Sequence, residues 1–100
     1  MKIKTSELTD AALDCAVAMA LGNTGHFLID GFSPSTNWSQ GGPIIEREGI
    51  GFTQFSDYPQ WTAKHPQAIC FDGPTPLIAA MRCYVASKLG DEVEIPEELK

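Results

Sequence analysis

Two stretches of the chain show the hydrophobic periodicity of a helix. In the first, LTDAALDCAVAMALG, the apolar residues Leu13, Val17 and Leu21 recur four positions apart, so they share one helical face. Thr9 precedes this pattern as a favoured N-cap residue, and a glycine follows it where a left-handed residue can end a helix. The spacing predicts a helix over about residues 9–21.

The second stretch, PTPLIAAMRCYVASKLGD, is apolar around more than half of its predicted helical circumference. Thr75 is placed to cap this helix, Pro76 suits its first position, and Gly90 can close it. Such a wide apolar surface indicates burial against a sheet. We therefore predict a second long helix over about residues 76–89.

Between the helices, the pattern changes to short segments rich in β-branched and aromatic residues. The segments IGFTQF, QWTAKH and QAICF are separated by a DYP turn signal and by Pro66, which indicates two or three short antiparallel strands. MKIK, HFLID (His26 to Asp30) and VEI indicate further short strands. This order of elements predicts an α+β fold, an α/β sandwich in which the two long helices pack on a small, mostly antiparallel sheet of roughly three to five strands. We expect a single domain over residues 1–100.

The segment NWSQGGPIIEREG interrupts these patterns with two glycines and a proline. If one helix ran through the whole segment, the ring of Pro43 would clash with the carbonyl of Ser39, whereas proline suits the first position of a helix. The sequence therefore predicts a turn around residues 37–40, a glycine break, and a short helix near residues 43–48. A strand over Pro43 to Ile45 is the alternative.

This segment also contains the candidate binding surface. Gly41, Gly42 and Pro43 are predicted to form a corner that redirects the main chain, so that the helices can cover the sheet. Trp38 has two interpretations: the favoured one is an aromatic anchor on the core, and the other is an exposed hot spot of an interface. The second interpretation defines a candidate binding surface, which comprises Trp38, Ser39, Gln40, Gly41, Gly42 and Pro43.

Composition and cysteine usage indicate a packed domain in a reducing compartment. Hydrophobic residues make up 43% of the chain, which supports a core. The three cysteines are odd in number and form no CxxC pair, unlike a secreted disulfide scaffold. The longest apolar run, Ala16 to Leu21, is far shorter than a membrane span, and no signal peptide is expected. These features predict a cytoplasmic protein with no membrane association.

The charge pattern argues against direct binding to nucleic acid. The formal net charge is −6, and the seven Lys and Arg residues are scattered rather than clustered. The last ten residues, DEVEIPEELK, hold five acidic residues. The favoured interpretation is a solvated tail, and the alternative is an acidic docking segment for a basic partner.

His65, Cys70 and Asp72 are the only local set that resembles a base, a nucleophile and an orienting carboxylate. A small thiol-dependent hydrolase or transferase using Cys70 and His65 is therefore the alternative hypothesis for function. However, a turn at Pro66 is expected to separate the two side chains, and a free cysteine more often behaves as a small hydrophobic residue.

The remaining candidate groups favour no cofactor and no metal. Cys15 and Cys83 fall on helix faces that we expect to be buried. Zinc prefers four clustered Cys or His ligands, whereas the cysteines and the two histidines are widely spread. No glycine-rich phosphate-binding motif is present.

Three segments carry a resemblance to a known family. MKIKTSELT with the following ALD and AVA on either side of Cys15, the central PSTNWSQGGPIIEREGI and the closing GPTPLIAAMRCYVASKLGDEVE with the PEE after it together resemble the NinX-like family of lambdoid phage and prophage proteins. The resemblance implies a small accessory protein made in an infected or lysogenic bacterium, and it implies no catalytic residues. The leading hypothesis is a non-enzymatic protein that binds a host or phage protein, or a second copy of itself, in the cytoplasm of the bacterial host.

Overall fold

A computed structural model describes residues 1–22, 32–54 and 59–95. In these residues, three α-helices and five strands follow one another along the chain, with a 3-10 turn at Thr5–Glu7. The order is β1 (Lys2–Lys4), α1 (Asp10–Ala20), α2 (Trp38–Glu48), β2 (Gly51–Gln54), β3 (Trp61–His65), β4 (Ile69–Gly73), α3 (Pro76–Leu89) and β5 (Glu92–Glu94). The predicted α+β fold is confirmed.

The five strands form two antiparallel sheets rather than one. β1 pairs with β5, with Ile3 opposite Val93, and β2, β3 and β4 form a three-stranded meander. In the meander, Ala63 of β3 lies opposite Phe52 of β2 and Phe71 of β4. The predicted strand at His26 to Asp30 lies outside the described residues.

Helix α3 is the centre of the core, as its apolar sequence predicted. Every residue from Leu77 to Val85 is buried, because the three-stranded sheet covers one side of the helix and α1 and α2 cover others. The predicted cap is confirmed, since Thr75 Oγ1 accepts a 3.1 Å hydrogen bond from the Ile78 amide. Gly90 ends the helix with a φ of 89°.

One charged residue of α3 lies inside this core. Arg82 is only 8% exposed, and its Nε donates to the carbonyl of Leu8 at 2.9 Å. Its Nη1 donates to the carbonyl of Asp72 at 2.7 Å. Burial lowers the pKa of Arg82, and the Asp72 carboxylate opposes that shift. The guanidinium thus joins the segment before α1 to the end of β4.

Helix α2 corrects the predicted break at residues 41–43. It is one continuous helix of 11 residues, and Pro43 lies inside it. The Asn37 side chain caps it by accepting from the Ser39 amide at 2.9 Å, and Gly49 closes it with a φ of 71°. Both Ser39 and Pro43 are exposed, so the Ser39 carbonyl that loses its helical partner lies where water can hydrate it. The predicted corner and the alternative strand are therefore wrong.

The two glycines of α2 differ in their surroundings. A Cβ atom on Gly41 would lie 2.5 Å from the Pro34 carbonyl oxygen and 2.6 Å from Leu77 Cδ1. A Cβ atom on Gly42 would meet nothing within 4 Å apart from its chain neighbours Gly41 and Pro43. Gly41 therefore allows α2 to approach α3, whereas Gly42 has no packing role in this respect.

Within the three described ranges, we find no helix with the length and apolar content needed to span a bilayer.

Candidate functional site

Three aromatic side chains lie next to one another at the surface, and we refer to Trp38, Phe52 and Trp61 as the aromatic row. The ring centroids of Trp38 and Phe52 are 6.0 Å apart, with 54° between their planes. Those of Phe52 and Trp61 are also 6.0 Å apart, in an edge-to-face arrangement at 72°. Trp38 is 50% exposed and Phe52 is 40% exposed, although large apolar side chains are usually buried.

The register of the sheet explains this grouping. Phe52 lies opposite Ala63, and Trp61 precedes Ala63 by two residues, so all three side chains are on the same face of the sheet. Ala63 is fully buried, because α3 covers that face at its centre. Trp38, the first residue of α2, contacts Phe52 at the edge of the area that α3 covers. The row is therefore the exposed margin of the face that forms the core.

A small pocket adjoins the row between the beginnings of α2 and α3. Its volume is about 180 Å³, below the roughly 300–1,000 Å³ of small-molecule sites. An apolar cavity of about 150 Å³ accommodates benzene, so this pocket has room for one ring-sized or branched side chain. The residues that line it are Ser35, Thr36, Trp38, Thr75, Leu77 and Ile78.

The structure separates the members of the predicted binding surface. Trp38, Ser39 and Pro43 are exposed, Gln40 and Gly42 are half-buried, and Gly41 is buried. The exposure of Trp38 contradicts the favoured interpretation that it is a core anchor. Its stacking with Phe52 and Trp61 was not predicted, because it depends on strand register. Whether these residues bind a partner remains a prediction.

The alternative catalytic pair does not form. Cys70 lies opposite Lys64 on the outer face of the sheet, whereas His65, the next residue of β3, is buried on the inner face. Side chains alternate between faces along a strand, so the thiol and the imidazole point away from each other. Asp72 shares the outer face with Cys70, where it accepts a 2.8 Å hydrogen bond from Thr62 Oγ1. The structure therefore does not bring together the pair on which the hypothesis of a hydrolase or transferase depends.

The other two thiols are core residues, as predicted. Cys15 and Cys83 are both buried. Burial raises the pKa of Cys15, and it raises the pKa of Cys83 to about 11. The Cys83 thiol donates to the Ala63 carbonyl at 3.2 Å. Neither group is activated as a thiolate at neutral pH.

His65 has a structural role at the end of α2. Its Nδ1 accepts a 3.1 Å hydrogen bond from the Gln67 amide, which leaves Nε2 to donate to Glu48 Oε1 at 3.0 Å. The hydrogen bond from His65 lowers the pKa of Glu48, although burial opposes that shift. The hydrogen bond between His65 and Glu48 therefore links the end of α2 to β3.

This pair predicts a stability change at acidic pH. Since the folded-state pKa of Glu48 is depressed, its contribution is present above the usual value of 4.5 and is lost as the pH falls through the folded-state pKa. Urea unfolding between neutral and strongly acidic pH should show a weaker pH dependence for Glu48→Gln, by about 1 kcal/mol, than for the unmodified protein. Glu46→Gln, an exposed neighbour on the same helix, is the control. Parallel stability curves for the Glu48 variant and the unmodified protein would contradict the prediction.

Comparison with known proteins identifies a phage family. No curated protein gives a significant match to the chain. A family model described as Bacteriophage P22, NinX matches residues 23–88, about two thirds of the chain. That range contains α2, the three-stranded sheet, the whole aromatic row and nearly all of α3. On this match, the chain belongs to the NinX family of bacteriophage P22.

Proposed function

We propose that the chain is a non-enzymatic phage accessory protein that binds another protein in the cytoplasm of the bacterial host. The observation that carries the proposal is the exposed aromatic row. Aromatic side chains, tryptophan above all, dominate the energy of protein interfaces. Two exposed aromatic side chains beside a pocket that holds one more side chain form a surface suited to a partner, because aromatic residues are enriched at interfaces.

The size of the row favours a short segment of another protein over a second copy of this chain. Half of Trp38 and two fifths of Phe52 together expose about 200 Å², because each aromatic side chain contributes about 150–250 Å². A stable dimer commonly needs about 800 Å² from each partner. An apolar segment that places one side chain in the pocket beside Trp38 needs much less.

The chemistry of the surface points to an uncharged segment. None of the described residues that form the row or line the pocket is charged. Charged partners are selected by complementary charge, which this surface does not provide. The same property supports our expectation that nucleic acid does not bind here, since phosphates require Lys and Arg.

The test is affinity capture from infected cells with three forms of the protein: unmodified, Trp38→Ala and Glu46→Ala. Trp38→Ala should lower the affinity for the captured protein about 30-fold or more, as expected for a hot spot of 2 kcal/mol. Glu46→Ala, also exposed on α2 but outside the row, should change the affinity less than twofold. Binding should then be reproduced with the purified partner.

Two outcomes would overturn the proposal. If Trp38→Ala captures the partner as well as the control does, the row is not the binding surface. If the unmodified chain is a dimer in sedimentation experiments and Trp38→Ala is a monomer, the row is occupied by a second copy. Urea unfolding of Trp38→Ala verifies that the variant is folded.

A further inference from the structure

A second surface feature, independent of the aromatic row, is a cleft at the β4 edge of the three-stranded sheet. Its volume is about 720 Å³, within the roughly 300–1,000 Å³ typical of small-molecule sites. Arg82 lines the cleft together with Ser6, Cys70 and Asp72. A buried cation therefore lies at the wall of a cleft that is large enough for a small-molecule ligand.

Two of the three guanidinium nitrogens of Arg82 donate hydrogen bonds that hold the group in place. Nε and Nη1 donate to the carbonyls of Leu8 and Asp72. Nη2 has no hydrogen-bond partner among the described residues. It is also not fully buried, so a ligand in solution can reach it. Arg82 lines the cleft, and Nη2 is the guanidinium nitrogen whose N–H groups are left for a ligand by the described residues.

The Asp72 carboxylate acts on the charge of Arg82 only from a distance. In the described part of the chain, no carboxylate oxygen lies within 4.0 Å of its nitrogens. A buried cation that contacts only neutral carbonyls is costly, and an anion that reaches it recovers part of that cost. Two existing hydrogen bonds fix the orientation of the fork, so little side-chain freedom is lost when an anion binds.

We propose that this cleft binds a carboxylate, with Arg82 Nη2 as the donor at its base. A hydrogen bond between a charged guanidinium N–H and a carboxylate oxygen is roughly twice as strong as one between neutral groups. Asp72, whose carboxylate also lines the cleft, repels anions, and the repulsion grows with the charge of the ligand. A single carboxylate is therefore preferred over a phosphate dianion.

The experiment is a titration of the isotope-labelled full chain with sodium benzoate at constant ionic strength, followed by NMR. The Arg82 Nε–H signal should move with saturation, together with the amide signals of Cys70 and Asp72, and sodium chloride should not reproduce the shifts. Cys70 is the exposed thiol, whereas Cys15 and Cys83 are buried. Saturating benzoate should therefore slow the alkylation of Cys70 about tenfold.

Two variants test the site without altering Arg82. Asp72→Asn removes the repelling charge and keeps an acceptor for Thr62, so benzoate should bind about threefold to tenfold more tightly. Glu46→Gln makes the same change in net charge outside the cleft and should alter the affinity less than twofold. A phosphate titration should give weaker binding than benzoate.

The source of the carboxylate is distinguished by a peptide pair. A short peptide with a free C-terminus binds more tightly than benzoate if the natural ligand is a protein terminus, and its C-terminal amide does not bind. Benzoate binds more tightly than the peptide if the ligand is a small molecule. The absence of a saturable shift at Arg82 with every carboxylate would overturn the proposal. Equal effects of Asp72→Asn and Glu46→Gln would also overturn it.

Discussion

Replacing Gly41 with alanine is expected to lower the free energy of unfolding by about 2–3 kcal/mol, whereas Gly42→Ala should change it by less than about 1 kcal/mol in either direction. The added methyl group on Gly41 would meet the Pro34 carbonyl at 2.5 Å and Leu77 Cδ1 at 2.6 Å. A rotamer change of Leu77 relieves only the second contact, so α2 must move away from the loop before it. At Gly42 the methyl group meets nothing beyond its chain neighbours, and the helix-favouring effect of alanine is offset by crowding against the ring of the following Pro43.

The two variants form a matched pair, since they add the same methyl group to adjacent positions of one helix. Urea unfolding followed by circular dichroism should separate them by about 2 kcal/mol, and a loss of about 2 kcal/mol corresponds to a fall of roughly 10 °C in Tm. Equal stabilities for the two variants would show that α2 does not approach Pro34 and α3 as closely as described.

The predictable elements of this fold are those whose ends are fixed by local chemistry. The helix predicted over residues 76–89 has those bounds in the structure, because Thr75 caps it and Gly90 ends it. The helix predicted over residues 9–21 is α1, at Asp10–Ala20. There, Thr9 is the N-cap residue, but its side chain makes no capping hydrogen bond. The strands β2, β3 and β4 follow from residue type and turn signals.

Helix α2 was not predictable in full because its first half depends on tertiary contacts. Local rules place a break before Pro43, yet the cap at Asn37 and the packing of Gly41 on Leu77 keep the helix continuous. An interior proline costs a helix about 3 kcal/mol, through the lost hydrogen bond and the clash of its ring with the carbonyl four residues earlier, and this packing offsets that cost. In the sequence, a pair of glycines is equally compatible with a turn and with a close approach between helices. Only the tertiary neighbours of each glycine show which of these two roles it has.

The candidate site was predicted only in part for a similar reason. The possibility that Trp38 is exposed followed from its position beside the glycines, but Phe52 and Trp61 required the register of β2 against β3. The same limitation explains the failed pair of Cys70 and His65, since a sequence separation says nothing about sheet faces. For Arg82 a signal did exist: it is a charged residue within the apolar surface of the predicted helix.

Arg82→Met is expected to lower the free energy of unfolding by about 3 kcal/mol. Methionine fills a similar volume without a charge, and such a replacement is often tolerated when the partner groups are replaced as well. Here the partners are the backbone carbonyls of Leu8 and Asp72, which remain in every variant. The Leu8 carbonyl would lose a donor in a buried position and the Asp72 carbonyl in a partly buried one, so the loss exceeds any gain from removing the buried charge.

Arg47→Met is the matched control for this effect. Arg47 is largely exposed on α2, where its Nη2 donates to Tyr84 Oη at 3.3 Å, and its replacement should cost less than about 1 kcal/mol. Urea unfolding of both variants provides the comparison, and hydrogen exchange of the α1 and β4 amides should increase only in Arg82→Met, because Arg82 joins these two regions. If the two variants lose the same small amount of stability, the Arg82 guanidinium does not stabilise the fold, and its burial must be explained by the anion that we propose it binds.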